Sequence, residues 1–490
     1  MKKILKISAL SLLTTPIFAQ YAFEYMDQDA LRLTMSSLQG NARFASMGGA
    51  FGALGGNFSA LSTNPASIGI YRSNEFSFTP ALTIGQTEVK PGDAITRQSD
   101  PLWNFNLGNF GMVAAWDISK SESANEWKMV QFGIGLNRLT DFWNRSGYTR
   151  YAQWTYLDVL THEANITGNL NDDWFRGLAF DAGLIKFDTT PGMEFPYWNE
   201  LAYNPTKGLM QRQVTKTTGA INEFVMSFGA NYGDIIYLGA TLGMPSVNFS
   251  QDQYLRETDE AGAHFPRFRE WSIRENLKIS GRGINLKLGV IARPTDFMRV
   301  GLAFHTPTRY SLKEEFSTTI QNAESTGRYR SPVSAYDYSI RTPMRVIGSL
   351  GFVFNRVALL GIEYEMVNYQ KMRINDEHYS YDNDNEFIEE TYRMGGTFKL
   401  GAEYRLYAVS LRAGYNYTST PYADNMYRKF SGHSLSAGLG FTLGSTTIDL
   451  AYVNALRRSN MSPYPGMPND FFNRYTSNQH QMLVTFGWRF

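Results

Sequence analysis

The chain runs to 490 residues, with a net charge of +1, 43% hydrophobic and 14% aromatic residues, and no cysteine. Near-neutral charge leaves no electrostatic case for nucleic acid. The lack of cysteine excludes disulfides, thiolate nucleophiles, zinc–sulfur sites and a lipoprotein anchor.

In chain order, Lys2, Lys3 and Lys6 precede a short apolar run from Ile7 to Phe18, and Ile17-Phe18-Ala19-Gln20 reads as a cleavage site. Residues 1–19 therefore form a secretory signal peptide cleaved after Ala19, too short to span a membrane as a helix. No later segment holds eighteen consecutive apolar residues, so no membrane-spanning helix is expected.

Residues 20–70 do not alternate as strand. Asp29 to Leu38 reads as a short helix. A small-residue run follows, Gly40-Asn41-Ala42-Arg43 then Met47-Gly48-Gly49-Ala50, ending in Asn64-Pro65-Ala66. Glycine permits close backbone approach, and Pro65 biases Asn64 away from helix.

From residue 71 to the end the period is two. Candidate strands fall at 73–85, 103–116, 127–138, 222–232, 235–248, 272–292, 298–312, 336–354, 357–373, 392–405, 408–419, 433–443, 446–457 and 478–490. That is about fourteen, an even number, as bacterial barrels require. Leu435, Ala437, Leu439, Phe441 and Leu443, for example, oppose Ser434, Ser436, Gly438, Gly440 and Thr442. Charge on a lipid face is costly, so Glu363, Lys399, Glu403, Arg405, Arg412, Asp449 and Arg489 should face the lumen and pair there. Tight turns such as Gly233-Asp234 and Gly444-Ser445 alternate with longer loops. The longest loop, at 139–221, is too long for a passive linker and reads as partly helical from Trp154 to Ala164.

The last strand ends the chain on an aromatic face: Met482, Val484, Phe486, Trp488 and Phe490 lie opposite Gln481, Leu483, Thr485, Gly487 and Arg489. Such an ending resembles the assembly signal of outer-membrane barrels, which implies the barrel-assembly machinery as a partner.

Catalytic chemistry has no sequence support. Gly432-His433-Ser434-Leu435-Ser436 lacks the second glycine of a nucleophile elbow. The glycines at 48–56 lack a phosphate-loop ending. The histidines show no zinc spacing. Asp382, Asp384 and Glu386 suggest a calcium loop, but Phe387 and Arg393 stand where its glycine and bidentate glutamate belong. A solvated acidic loop is the simpler reading, and no catalytic residue, metal or cofactor is expected.

The N-terminal block carries a more specific resemblance. Gly-x-Ala-Arg before Met-Gly-Gly-Ala, then Asn64-Pro65-Ala66 about ten residues before the first strand, resembles the hatch of the FadL/TodX family of outer-membrane hydrophobic-compound transporters. The whole plan resembles it too: signal peptide, hatch, about fourteen strands, terminal Phe490. The resemblance implies an all-β transmembrane antiparallel barrel with a partly helical hatch in the lumen. It implies passive uptake of long-chain fatty acids or aromatic hydrocarbons, in contact with outer-membrane lipid, by a monomer. It assigns hatch roles to Gly48, Gly49, Asn64, Pro65 and Ala66. It also implies lateral release beside a kinked third strand, where Gly133 and Gly135 are the candidate bend. A plugged surface-binding barrel using the long loop, and then an open diffusion porin, are the alternative readings.

Overall fold

The computed structural model describes residues 18–490 apart from 91–93, 99, 120–125, 169, 171, 191, 194, 203–207, 260–267, 326, 356, 424–429 and 462–472. Most of the expected signal peptide lies outside the described residues. Among them, fourteen strands close into one antiparallel barrel. The strands are β1 (Glu75–Lys90), β2 (Leu102–Asp117), β3 (Trp127–Asp141, continued as Asn144–Ala152), β4 (Leu209–Tyr232), β5 (Ile236–Thr258), β6 (Glu270–Ala292) and β7 (Met298–His305, continued as Arg309–Asn322). They go on as β8 (Ser334–Arg341 and Arg345–Phe354), β9 (Ala358–Asn368 and Arg373–Asn375), β10 (Met394–Leu406), β11 (Val409–Thr418), β12 (Phe430–Leu443), β13 (Thr446–Met461) and β14 (Asn473–Arg489). β14 pairs back onto β1, with Phe76 opposite Trp488 and Phe78 opposite Phe486. Closure pairs the strand edges around the barrel, as a membrane demands of a strand protein, except over one short stretch between β2 and β3.

The period of two sorts the side chains as expected. Leu435, Leu439, Leu443, Met482, Trp488 and Phe490 are exposed on the outer wall, while Ser436, Gln481, Leu483 and Thr485 are buried inside. Trp116, Phe297, Phe354, Tyr407 and Trp488 sit exposed near the tight turns, where an aromatic girdle meets a headgroup layer. No helix among the described residues is long and apolar enough to cross a membrane.

Three elements differ from the sequence reading. The first helix, α1, runs Phe18–Thr34 rather than 29–38, and the Thr34 hydroxyl turns back to the Ala30 carbonyl at its end. β3, β4 and β5 reach well into the expected loops and pair there, as at Thr149↔Arg212 and Thr215↔Gln253. Between them, residues 153–208 fold into a small unit with α3 (Tyr156–Thr167), α4 (Arg176–Asp181) and a two-stranded sheet, Ile185–Phe187 with Tyr197–Asn199. Thr155 and Asp158 form a capping box for α3. Tyr156, Leu160 and Leu178 bury against Trp271, Ile273 and Ile320 of the strands. Third, Asp382–Thr391 is a helix, α5, and Asp384 is buried rather than solvated. α5 sets Ile388 and Tyr392 against Met26, Ala30 and Leu33 of α1, which carries Asp384 inside with them.

Candidate functional site: the filled lumen and the kinked wall

The chain from α1 to β1 occupies the lumen. After α1 it forms α2 (Ala42–Ser46) and two 3-10 turns, Phe58–Ser62 and Pro65–Ile70, nearly all buried. Their backbone presses on the barrel wall at a series of strand glycines. A methyl at Gly401 would overlap the Met47 carbonyl, at Gly361 the Ala50 carbonyl, and at Gly239 the Pro65 carbonyl. Those strand glycines are a packing requirement: only a residue without Cβ leaves room for a second backbone.

Polar bonds fix the same segment to many strands. The Ala42 amide donates to Thr485 Oγ1 (2.7 Å), the Gly52 amide to Glu363 Oε2 (2.8 Å), and Ser62 Oγ to Glu223 Oε2 (2.7 Å). His305 Nε2 lies 2.7 Å from the Thr63 carbonyl, and Gln131 Nε2 donates to the Tyr71 carbonyl at 2.9 Å. The expected lumenal charges pair up. Arg43 of the segment meets Glu403 at 2.8 Å; Arg412 joins Glu403 at 2.7 Å and Asp449 at 2.6 Å. Lys399 holds Glu363 at 2.7 Å, and Lys287 holds Glu223 at 2.6 Å.

The sequence-selected residues fall in three places. Gly48 and Gly49 take positive φ (62° and 77°) in the turn after α2, Gly48 beside the backbone of Leu400 and Tyr415 and Gly49 beside the side chains of Leu38 and Phe44. Asn64 caps the turn that starts at Pro65. Its side chain accepts from the Ala66 amide (3.0 Å) and donates to the Gly52 carbonyl (2.6 Å). This Asn64–Ala66 triplet lies against Gly239 of β5 and Gly289 of β6. Gly133 and Gly135 stand on β3 with unbroken pairing on both sides, opposite Val113 and Gly111 of β2 and Ser227 and Val225 of β4. Their inner face makes room for Ile68 and Phe58.

The wall breaks a few residues further along β3. Pairing between β2 and β3 ends at Asn109↔Asn137, so Leu102 to Leu107 of β2 keep a ladder partner only on β1, and Gly108 sits in a bulge. β3 has a register shift at Arg138/Thr140, then turns inward until the Trp143 carbonyl lies against the inner face of Gly85. Side chains bridge the window this leaves. Asn104 Nδ2 donates to Asp141 Oδ2 (2.9 Å), and Arg138 Nη2 donates to the same oxygen (2.7 Å). The kinked backbone meets Met35 and Ser37, not Asn64–Ala66: Thr140 Oγ1 lies 3.4 Å from the Met35 carbonyl. On the outer face near the window, Trp103 and Phe105 are 61% and 79% exposed.

A cavity of about 140 Å³ lies above the segment and reaches Asn137, Arg138, Leu139 and Thr140 at the window. Leu33, Met35, Leu38 and Phe44 of the N-terminal segment give it an apolar side; Lys287, Glu365, Lys399 and Arg457 of the wall give it a charged one. The cavity is thus amphipathic. Of these charges, sequence alternation marked Lys399 as lumenal. The window, made of Asn104, Arg138 and Asp141, carried no signal beyond ordinary strand polarity.

No protein-family model and no curated protein matches the sequence. Solved structures do. A FadL homologue of Pseudomonas aeruginosa is similar at a TM-score of 0.56 and 15% identity, over 93% of this chain and 99% of that one. The P. putida toluene transporter TodX gives 0.52 and 13%, again over 93% and 99%. The Ralstonia pickettii toluene transporter TbuX gives 0.51 and 15%, with the same coverage. At these identities the likeness is one of fold. The chain is a closed fourteen-stranded membrane barrel filled by its own N-terminal segment, and it has the fold of the FadL/TodX transporters.

Proposed function

We propose that this chain is an outer-membrane passive transporter of hydrophobic small molecules, with residues 20–70 as its hatch and lateral release through the wall. The observation that carries this reading is that the lumenal cavity reaches the break between β2 and β3, while the chain from α1 to β1 packs inside the barrel. A greasy solute needs a path that ends in lipid, and an open water-filled pore does not provide one. The solved structures with this fold include two named toluene transporters, which supports the general class. The cavity's apolar and charged sides favour an amphiphile such as a long-chain fatty acid over a bare aromatic hydrocarbon.

The test is equilibrium binding of a fluorescent long-chain fatty acid to the detergent-folded barrel, with unlabelled fatty acid and toluene as competitors. Saturable binding displaced by fatty acid before toluene is expected. A folded barrel that binds neither lipophile would overturn the reading.

One observation favours a second reading, a surface-binding barrel. The unit at 153–208 packs onto the strands through a shared core and exposes Phe187, Phe195 and Trp198. On that reading, deleting the unit abolishes partner binding and spares solute uptake.

A further inference from the structure

Under the N-terminal segment, at the turn end of the lumen, lies a second cavity of about 330 Å³. Arg43, Arg72, Arg299, Arg405 and Arg489 line it, with Glu75 as the one lining carboxylate. Arg489 pairs with Glu75 (3.0 Å), Arg72 with Asp234 (2.6 Å), and Arg43 and Arg405 share Glu403 at 2.8 and 2.6 Å. Arg412, also on Glu403, is offset by Asp449. Arg299 has no carboxylate among the described residues; its Nη1 donates to the Leu54 carbonyl at 2.6 Å. The group is left with two positive charges in excess.

We propose that this vestibule binds an anionic group, a phosphate or carboxylate that enters from the turn end. The guanidinium forks are already held by their carboxylates and by the Leu54 carbonyl, so little ordering remains to be done on binding. A planar fork matches phosphate and carboxylate oxygens bidentately. The space holds such a group with several waters, each occupying about 30 Å³. An anion here competes with the Leu54 carbonyl for Arg299. It thereby bears on the next turn, where Gly55 and Gly56 hold positive φ (62° and 63°). The same headgroup chemistry arrives either as a free ion or on an amphiphile.

Calorimetric titration of the full chain, folded in nonionic detergent, with inorganic phosphate and with decyl phosphate tests the proposal. Saturable binding is expected, weakened about tenfold or more in Arg299→Gln and less in Arg299→Lys, the size of losing one charge-assisted bond. Equal affinity for both titrants identifies a free anion as the source; tighter decyl phosphate that is also lost in Arg299→Gln identifies an amphiphile headgroup. Arg72→Gln, which makes no bond to the N-terminal segment, is the second variant and is expected to weaken binding several-fold. Absence of saturable binding overturns the proposal, as does binding indifferent to both substitutions. Neither result bears on transport, which the fatty-acid titration reads in the other cavity.

Discussion

The Ser37 amide donates to the Leu139 carbonyl at 3.2 Å, and the Ser37 hydroxyl reaches the same oxygen at 3.3 Å. A residue of the lumenal segment is thus bonded to the strand where it bends away from the wall. Leu139 lies between the last β2–β3 pair and the inward turn, where its neighbours have lost one ladder. Ser37→Pro removes both donors. Each bond contributes about 1 kcal/mol, so the kinked backbone loosens locally while the barrel stays closed. Amide hydrogen exchange over residues 138–143 should accelerate relative to β13 and β14. Unchanged exchange there would show that the bend is held without the segment.

Asn64 is the second anchor. Its side chain links the Gly52 carbonyl to the Ala66 amide in one step. Replacing a capping Asn with Ala costs about 0.5–2 kcal/mol. Asn64→Ala with Pro65→Ala should reduce fatty-acid uptake while heat-modifiable migration of the folded barrel is unchanged. Normal uptake with normal assembly would remove any transport role for the triplet.

Glu403 receives Arg43, Arg405 and Arg412 and is 2% exposed. Breaking one member of a buried ionic group leaves uncompensated charge and costs about 3–5 kcal/mol. Glu403→Gln should therefore lower the thermal midpoint more than Arg43→Ala, because the glutamate serves three guanidiniums and Arg43 leaves two behind. A larger loss from Arg43→Ala would mean that the segment, not the wall, depends on this cluster.

Burial on α5, with Asp27 nearby, raises the Asp384 carboxyl to about 7 from its ordinary value. Below the ordinary carboxylate range the group is protonated whether α5 is docked or free, and it contributes no pH dependence. As pH climbs toward 7 the free form ionises first, so docking of α5 on α1 weakens progressively, and above about 7 the loss is complete. Protection from exchange over Asp382–Thr391, taken relative to the intrinsic rate at each pH, should be lower at pH 8 than at pH 5, and Asp384→Asn should flatten that difference. A profile that keeps its slope in the variant assigns the dependence to another group.

The barrel was legible because lipid imposes an alternation that water does not. β12 and β14 show it along most of their length, and their C-terminal boundaries follow. It failed where strands leave the membrane: Thr215, Lys216, Thr217 and Thr218 of β4 carry no apolar face, so they read as loop although they pair with Ser250 to Gln253. Nothing in the sequence singled out the glycines at 239, 361 and 401. Their purpose depends on a backbone hundreds of residues away in sequence. Gly133 and Gly135 drew attention as a bend, yet the departure begins at Arg138. A bulge and a side-chain bridge make it, and neither has a composition signature.

The window itself offers the most direct test of lateral release. Asn104 and Asp141 face each other across the unpaired stretch, and the chain contains no cysteine to interfere. Asn104→Cys with Asp141→Cys, joined by a short bis-maleimide, replaces a bond of about 1 kcal/mol with a covalent strap. Fatty-acid binding to the lumenal cavity should persist, since its lining is untouched apart from that edge, while uptake into proteoliposomes falls to background. Each single-cysteine variant treated with the same reagent should retain uptake. If the strapped barrel transports normally, cargo leaves by another route, and the break between β2 and β3 is only the place where the wall yields to the segment inside it.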